Sequence, residues 1–383
     1  MALTVIAVFP LAIWLYLFFG RGGFWRVRRH FATAGSTPGT PVRVVAVVPA
    51  RDEASVVGEA VQSLLDQRLL CSLQVVLIDD GSSDGTAALA AQTAKRMGAA
   101  QRLTIIQGKP LPSGWTGKLW AVSQGIEAAR QFDADYYLLT DADIRHHPES
   151  IGRLLNVSQG GGYDLASYMV KLSVETLAEK FTIPAFVYFF FQLYPPSWIA
   201  SRRHGTAGAA GGCMLIRPAA LERAGGIAAI RNALIDDCAL AQVIKKTGGQ
   251  VWLGLTEESQ SIRSYGGFRG VGQMISRSAF HQLRHSTLLL LMTIAGLATT
   301  YVVPLLLLLT GKPLPMLLGG AVWVLMTLSY APTVRFYGRP ALWSLSLPLV
   351  AIFYAGCTIH SAYRFWTGAG GKWKGRTQDK AHG

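Results

Sequence analysis

The stretch Tyr136–Asp143, YYLLTDAD, predicts a buried β-strand that ends in two carboxylates. Because side chains alternate along a strand, Asp141 and Asp143 should point the same way, with Ala142 opposite. Two carboxylates this close repel each other unless a cation lies between them, and a hard divalent ion that also binds phosphates suits such a place. A D-x-D pattern is also common by chance, so two turn residues are the alternative.

Short apolar strands alternate with helices before and after this stretch. The continuous apolar run Val42–Val48 precedes Pro49, as expected for a strand that is covered on both faces of a parallel sheet. The alternation predicts a doubly wound α/β sheet, in which ligands bind at the carboxyl ends of the strands. Further strands are expected at Gln74–Ile78, Leu103–Ile106, Cys213–Ile216 and Val251–Leu255, and helices at Glu53–Asp66, Thr86–Met97, Lys118–Arg130 and Asp236–Lys246.

Hydrophobic residues make up 50% of the 383-residue chain and are concentrated in a few long runs. The runs at 3–20, 286–310, 316–334 and 341–363 are long enough, or nearly so, for a helix to cross a bilayer core of roughly 30 Å. The expected division is a membrane anchor at 1–22, an α/β domain at 40–285 with interfacial helices near 181–200 and 268–285, a membrane region at 286–365 and a basic tail at 366–383.

Basic residues set the expected orientation. The first run lacks the features of a cleaved signal peptide and is followed by Arg21, Arg26, Arg28 and Arg29, which the positive-inside rule places in the cytoplasm. The α/β domain should then be cytoplasmic. Three C-terminal crossings would put the basic tail outside, so either one run is re-entrant or the tail is an exception to the rule.

The net charge of +14 does not indicate a nucleic-acid partner. Basic residues cluster near the membrane runs and in 263–284, where anionic lipid headgroups are the simpler partner, and no nucleic-acid-binding motif is recognisable. The four cysteines do not have the spacing of a zinc site or a disulfide framework. They are Cys71, Cys213, Cys238 and Cys357.

Two polar groups follow other strands of the predicted sheet. Asp79 and Asp80 open the sequence DDGS after the second strand, where they could bind a base or a ribose, or only form a turn and a helix cap. Lys118 begins a helix, which is electrostatically unfavourable and hints at an anionic ligand. A solvated surface lysine is the alternative there.

Later residues also allow two interpretations. Asp236 and Asp237 open a helix, where the dipole favours acids, but one of them could be a general base. His146 and His147 are expected to be surface loop residues rather than metal ligands. Four arginines near the first C-terminal membrane run could face lipid headgroups or bind a diphosphate. They are Arg263, Arg269, Arg277 and Arg284.

The order of these motifs over residues 42–285 resembles the GT-A fold glycosyltransferases of family 2. The order is Asp79-Asp80, Lys118, Asp141-x-Asp143 and then Asp236-Asp237. Within that family the chain resembles in particular the hopene-associated glycosyltransferases of hopanoid-producing bacteria, and ceramide glucosyltransferase-like enzymes are also similar. That resemblance is carried by the stretches Val48–Glu53, Gly114–Ala121 and Phe190–Pro196.

The resemblance implies an inverting transfer of a sugar from a nucleotide sugar, expected to be a UDP-sugar, to a membrane lipid such as a hopanoid. It also implies a multi-pass protein of the bacterial inner membrane that uses Mg²⁺ or Mn²⁺. Asp237 would be the catalytic base, with Asp236 beside it. The residues implied to bind the nucleotide sugar are Ala50, Glu53, Asp79, Asp80, Lys118, Asp141 and Arg277, and those implied to bind the metal are Asp143 and Asp141.

One departure from the family pattern concerns the acceptor side. Many relatives carry Q-x-x-R-W near the membrane helices, whereas this chain has Met274–Ser278, in which only Arg277 remains. The departure disfavours a processive polysaccharide synthase and favours a single transfer to a lipid-like acceptor. A nucleotide-binding membrane scaffold without catalysis is the non-enzymatic alternative, and the intact acids disfavour it.

Overall fold

The computed structural model of the chain describes residues 2–27, 42–68, 72–368, 372–373 and 376–377. Arg28, Arg29, Cys71 and most of the predicted basic tail lie outside these residues. The described part contains an α/β domain with a large mixed sheet and a set of long apolar helices.

The sheet of the α/β domain has eight strands in the order β3-β2-β1-β4-β7-β6-β8-β5. Most neighbours are parallel, and β7 and β5 run antiparallel to the strands beside them. The strands are β1 (Arg43–Ala50), β2 (Ser72–Asp79), β3 (Leu103–Gln107), β4 (Tyr136–Thr140), β5 (Ile144–His146), β6 (Leu165–Lys171), β7 (Cys213–Ile216) and β8 (Val251–Ser261).

Helices cover both faces of this sheet and continue into the apolar region. In the α/β domain they are α2 (Val57–Leu65), α3 (Thr86–Arg96), α4 (Gly117–Ala129), α5 (Ser150–Gly161), α6 (Leu177–Leu193), α7 (Pro196–Ile199), α8 (Pro218–Arg223), α9 (Asp236–Lys246), α10 (Phe268–Ser276) and α11 (Ala279–Gln282). The apolar helices are α1 (Ala2–Leu15), α12 (Thr287–Leu297), α13 (Val303–Leu308), α14 (Pro313–Phe336) and α15 (Leu347–Trp366).

Strand β1 shows that the sheet is covered on both faces. Val45 and Val47 belong to one buried cluster, whereas Val44, Ala46 and Val48 belong to the cluster on the opposite face. A strand that is buried on both sides requires a continuous apolar run, because neither face is left for water. The structure thus confirms the predicted parallel core of the fold.

Gly125 lets α4 lie directly on this sheet, and its replacement tests that packing. A Cβ at Gly125 would lie 2.5 Å from Val47 Cγ1 and would also clash with Ile78 Cδ1. We expect Gly125→Ala to destabilise the protein by about 1–3 kcal/mol through overpacking, measured as a lower midpoint of thermal unfolding in detergent. Gly160→Ala is the matched control, since a Cβ at this helical position in α5 meets no atom within 4 Å. An unchanged midpoint for Gly125→Ala would contradict the tight packing.

Four helical segments of the described chain are long and apolar enough to cross a membrane. They are Leu3–Gly20, Thr287–Leu308, Pro313–Phe336 and Ala341–Trp366. These segments agree with the four runs found in the sequence. The first two are joined by a hydrogen bond in which Trp14 Nε1 donates to the backbone oxygen of Thr300, at 2.9 Å.

The last of these segments begins and ends on the side of the α/β domain. The end of α14 lies at the domain, since Lys171 Nζ of β6 is 4.8 Å from the Phe336 ring. The chain then turns back along α14, where Trp323 Nε1 donates to the Leu345 oxygen at 3.3 Å. At 1.5 Å per residue, Trp323 lies about 20 Å from the domain end of α14.

Helix α15 returns from there to the domain. Its Phe365 ring stacks on His285 at 4.0 Å, directly before the start of α12. Both ends of the segment 341–366 therefore lie on the side of the apolar helices that faces the α/β domain. This arrangement favours the re-entrant alternative over a third crossing.

Candidate active site

The carboxyl ends of β2, β1 and β4 bring the predicted acids to one edge of the sheet. Ala50 at the end of β1 is in register with Asp79 at the end of β2, and the Asp80 N–H donates to the Ala50 oxygen at 2.9 Å. Asp141 directly follows β4, which pairs with β1 on its other side. The Ala50 side chain itself is fully buried in the core.

Asp79 and Asp80 are both almost completely buried, with 6% and 1% exposure. Asp79 Oδ1 accepts from the Ser82 N–H at 2.9 Å, so it stabilises the turn that follows β2. Arg51 Nη1 donates to the backbone oxygen of Asp80 and lies 3.8 Å from Asp80 Oδ2. A Cβ at Gly108 would lie 3.2 Å from the Asp79 oxygen, so the chain passes very close to this pair.

Lys118 forms the centre of a charged cluster at the same sheet edge. Its Nζ lies 2.8 Å from Asp141 Oδ1 and 3.1 Å from Asp236 Oδ2. The two carboxylates offset the unfavourable position of a lysine at a helix N-terminus. Burial lowers the pKa of Lys118, but Asp141 and Asp236 raise it by more, so the ammonium stays charged.

Asp237 belongs to the same cluster and is held by two backbone N–H groups. Its Oδ2 accepts from the Gly211 N–H at 2.9 Å, and its Oδ1 accepts from the Cys238 N–H at 2.7 Å. Burial and the adjacent Asp236 charge raise the pKa of Asp237 to about 6, against the opposing effects of these backbone bonds and of Lys118. A carboxylate with such a pKa holds a proton more readily than an ordinary aspartate and is still ionised at neutral pH.

Asp141 and Asp143 lie in the turn after β4, where Ala142 points into the core with 3% exposure. The two carboxylates line one cleft, as alternation predicts, but they contact different cations. Asp143 Oδ2 accepts from Arg263 Nε at 2.7 Å, whereas Asp141 contacts Lys118. Burial and the charges of Asp143 and Asp236 raise the pKa of Asp141, which Lys118 lowers in part.

Arg263 lines the cleft at a position that the sequence did not reveal. Its guanidinium bridges Asp143 and Glu53, with Nη2 donating to Glu53 Oε1 at 2.6 Å. Its place in the sequence groups it with the arginines near the first C-terminal membrane run. Strand β8 continues to Ser261, and the Ile262 N–H donates to the Asp143 oxygen at 2.9 Å, so Arg263 emerges beside Asp143.

Glu179 holds the loop that follows Arg263. This carboxylate is fully buried, and its Oε1 accepts from the N–H groups of Tyr265 at 2.6 Å and Gly266 at 3.0 Å. Its Oε2 accepts from the Thr176 N–H at 2.8 Å, which completes the capping box of α6. Burial raises the pKa of Glu179, but the backbone N–H donors lower it by more. Helix α6 and the arginine loop are therefore held together.

His146 is buried in β5, so the prediction of a surface loop residue was wrong, although His147 is exposed. The Thr140 hydroxyl donates to the Gly212 oxygen at 2.8 Å, so it accepts from His146 Nε2, 3.0 Å away. Nδ1 then accepts from the Ser259 hydroxyl at 2.8 Å. Burial lowers the pKa of His146 to about 3, so the ring is neutral and fixes the strand end before Asp141.

A cleft of 410 Å³ joins these groups to the apolar part of the molecule. Acids and cations line one side, and Phe186 and Phe190 of α6 form an apolar wall on the other. Met274 and Arg277 of the α10 region also face the cleft. The predicted site residues that line it are Glu53, Lys118, Asp141, Asp143, Asp236, Asp237 and Arg277, whereas Asp79 and Asp80 lie beside it at the neighbouring strand end.

The acids of the cleft could contribute to a metal site without forming a complete one. In the described part of the chain, no group of three His, Cys, Asp or Glu side chains could hold a metal ion. Asp141 and Asp143 offer hard oxygen donors, and Mg²⁺ in proteins is commonly bound by one or two carboxylates together with substrate phosphates. This donor set fits a metal that is bound jointly with a diphosphate.

Residues 45–225 match the family model described as Glycosyl transferase family 2. An uncharacterized protein of Methanocaldococcus jannaschii is 29% identical over 123 residues, which are 32% of this chain and 44% of that protein. The match therefore spans less than half of the length of this curated relative.

The mannosyltransferase PcManGT from Pyrobaculum calidifontis, solved in complex with GDP-Man and Mn²⁺, has a similar fold. It aligns with 94% of this chain and 98% of its own, with a TM-score of 0.53 and 16% identity. With the family match, this likeness confirms the predicted GT-A fold. TarS residues 1–349 of S. aureus, in complex with UDP-GlcNAc, align with 85% of this chain and 92% of their own, with a TM-score of 0.40 and 13% identity.

Proposed function

We propose that the chain is a glycosyltransferase that moves one sugar from a nucleotide-diphosphate sugar to a membrane lipid, because residues 45–225 match the family model described as Glycosyl transferase family 2. The cleft carries this proposal. It places the acids and Lys118 opposite the aromatic wall of α6, next to helices that are apolar enough to cross a membrane. A polar donor and an apolar acceptor could therefore meet in one cavity.

The residues of the cleft suit a single inverting displacement. Asp237 accepts the proton of the acceptor hydroxyl while the hydroxyl oxygen bonds to the anomeric carbon. The bond between that carbon and the diphosphate oxygen breaks, and its electron pair leaves with the diphosphate. Lys118 and Arg277 supply positive charge near the departing group, and Asp236 holds Lys118 in place.

We assign the metal to Asp143 and Asp141. The diphosphate of the donor would supply further oxygen ligands. Mg²⁺ or Mn²⁺ bound there would stabilise the charge that develops on the leaving diphosphate. Arg263 and Lys118 contact these two carboxylates, so both cations would lie near phosphates bound to the same metal. Asp79, Asp80, Ala50 and Glu53 are assigned to the nucleotide side, with the two aspartates on the uridine.

The proposed location is the cytoplasmic face of the bacterial inner membrane. The anchor at 1–22 and the region 286–365 would lie in the bilayer, with the domain at 40–285 on its surface. Helix α6 and the helices at 268–285 would lie at the interface, because α6 joins the acidic cleft to the apolar helices.

The pKa of Asp237 predicts an acid limb in the pH dependence of the transfer. A base must be ionised, so kcat/KM should reach a plateau about one pH unit above the pKa of about 6, be half of that plateau at the pKa, and fall about tenfold per pH unit well below it. The measurement is kcat/KM for the donor between pH 4.5 and 8. The residual rate of Asp237→Asn should lack this limb, and a wild-type limb near pH 4 would contradict the assignment.

The proposed function is tested with the purified full-length protein in detergent. We expect a labelled glycolipid when the protein is incubated with Mn²⁺, bacterial lipid extract including hopanoids, and UDP-glucose, UDP-GlcNAc or GDP-mannose. Mass spectrometry of the lipid fraction identifies the product. The proposal fails if no lipid becomes glycosylated with any of these donors, or if transfer is unaffected by removal of divalent ions.

A further inference from the structure

A groove of 1020 Å³ runs between α10 and α15, next to the cleft. One wall is the face of α10 that carries Arg269 and Gln273, and the other is a stripe of α15 from Phe353 to Arg364. The spacing of the α15 residues places them on one face of the helix. The full set of lining residues on that helix is Phe353, Gly356, Cys357, His360 and Arg364.

Hydrogen bonds fix the two walls of the groove relative to each other. The Ser276 hydroxyl donates to the Cys357 oxygen at 2.9 Å, and the Ser361 hydroxyl accepts from the Phe280 N–H at 3.0 Å. Phe268 and Phe353 contact each other across the helices with ring centroids 5.7 Å apart. The groove is thus bounded by helices that are held at a defined separation.

The charge of the groove is uniformly positive. Arg269 and Arg277 are exposed, and within the described residues neither forms an ion pair with a carboxylate. His360 and Arg364 lie one turn apart on the opposite wall. Residues 262–378 contain eleven Lys or Arg and no Asp or Glu. Arginine binds phosphate with a planar fork of donors, so the groove is complementary to a phosphate group.

Apolar side chains accompany these cations. Phe268, Met274 and Phe353 line the groove, and the outer face of α15 exposes Leu349 and Ile352. Because α15 is one of the segments suited to a membrane, alkyl chains could lie along this face while a headgroup contacts the arginines. An inorganic phosphate would use only the cations of the groove.

Met274 and Arg277 line both the groove and the cleft. A headgroup phosphate near Arg277 would therefore lie at the entrance to the cavity that holds Asp237. In the proposed transfer, Asp237 removes a proton from a hydroxyl of the acceptor. A headgroup that consists only of a phosphate has no such hydroxyl. The two neighbouring sites together require a phosphate and a free hydroxyl in one headgroup.

We propose that the groove binds the acceptor as a phospholipid whose headgroup carries an anionic phosphate and a free hydroxyl. The inference rests on the proposed function and names its acceptor class. In the transfer, the headgroup hydroxyl loses its proton to Asp237 and its oxygen bonds to the anomeric carbon. The nucleoside diphosphate leaves with the electron pair of the broken bond.

The test uses full-length protein with phosphatidylcholine vesicles that contain phosphatidylglycerol, phosphatidic acid or a neutral hopanoid. Phosphatidylglycerol has both the phosphate and the hydroxyl, whereas each of the others lacks one of them. We expect labelled sugar on phosphatidylglycerol, and an increase of about tenfold or more in its KM for the double variant Arg269→Gln, Arg364→Gln. The donor KM should stay unchanged. Arg284→Gln is the control, since this exposed arginine lies outside the groove.

The outcomes separate the acceptor class from the function itself. Sugar on the hopanoid alone overturns the phospholipid inference and leaves the glycosyltransfer to a lipid intact. No product with any lipid overturns the proposed function. In that case, binding of fluorescent phosphatidylglycerol still tests whether the groove binds a phospholipid. Equal binding by the wild type and the double variant would overturn that inference. Equal competition by inorganic phosphate would assign the groove to a free anion instead.

Discussion

Asp237→Asn should lower kcat of sugar transfer by about 10²- to 10⁴-fold, the usual contribution of a positioned general base, while nucleotide binding stays largely intact. An asparagine of the same shape cannot accept the hydroxyl proton. It still accepts from one of the N–H groups of Gly211 and Cys238, so the local structure should persist. Transfer is measured as glycolipid formed per enzyme, and nucleotide binding by calorimetry with UDP or GDP and Mn²⁺.

Asp164→Asn is the matched control for this variant. Asp164 Oδ2 also accepts a backbone N–H, from Gln250 at 2.9 Å, but it lies at the other end of the sheet strands, before β6. The replacement therefore loses a comparable interaction outside the cleft, and kcat should change little. If Asp237→Asn turns over at the wild-type rate, another group removes the proton.

Asp143→Asn should lower metal-dependent transfer by roughly 10²- to 10³-fold, because a metal contributes several kcal/mol to the stabilisation of the leaving group. A neutral amide binds Mg²⁺ and Mn²⁺ much more weakly than a carboxylate. The same replacement removes the charge that Arg263 contacts at 2.7 Å. The distinguishing measurement is the Mn²⁺ concentration for half-maximal activity, which should rise in the variant.

A structural defect would instead lower activity without shifting the metal dependence. Asp133→Asn controls for the loss of one negative charge, since the Asp133 side chain is 85% exposed and forms an ion pair with the surface residue Arg43. Its transfer rate and its metal dependence should equal those of the wild type. An unchanged metal dependence in Asp143→Asn would remove Asp143 from the metal site.

The parallel half of the sheet could be predicted from the sequence because its strands are buried on both faces. Local composition then decides the structure, and β4 begins at Tyr136, the first residue of the predicted strand. The antiparallel strand β7 and helix α9 also have the predicted bounds. The acids at the carboxyl ends of these strands were found for the same reason. A strand end fixes where the next residue lies, so Asp79 and Asp141 needed no tertiary information to be selected, whereas Asp237 was selected as an acid at the start of a helix.

The remaining elements depend on contacts between distant segments. Strand β5 has only three residues, and β8 continues through a polar stretch to Ser261, since Ile144 pairs with Ser261. No local pattern predicts such pairing. Arg263 enters the site as a result of that extension, and His146 is buried by Thr140 and Ser259 rather than by its own neighbours in sequence. Both positions follow from the assembled sheet.

The doubled-back segment 341–366 has a consequence for how the protein would be inserted into a membrane. If its two ends stay on the side of the α/β domain, this segment does not cross to the other side of the membrane. In the described region after α12, the translocated basic residue would then be Lys312, in the short connection between α13 and α14. Arg335, Arg339 and Arg364 would all remain with the domain, so the basic tail would conform to the charge rule of membrane topology.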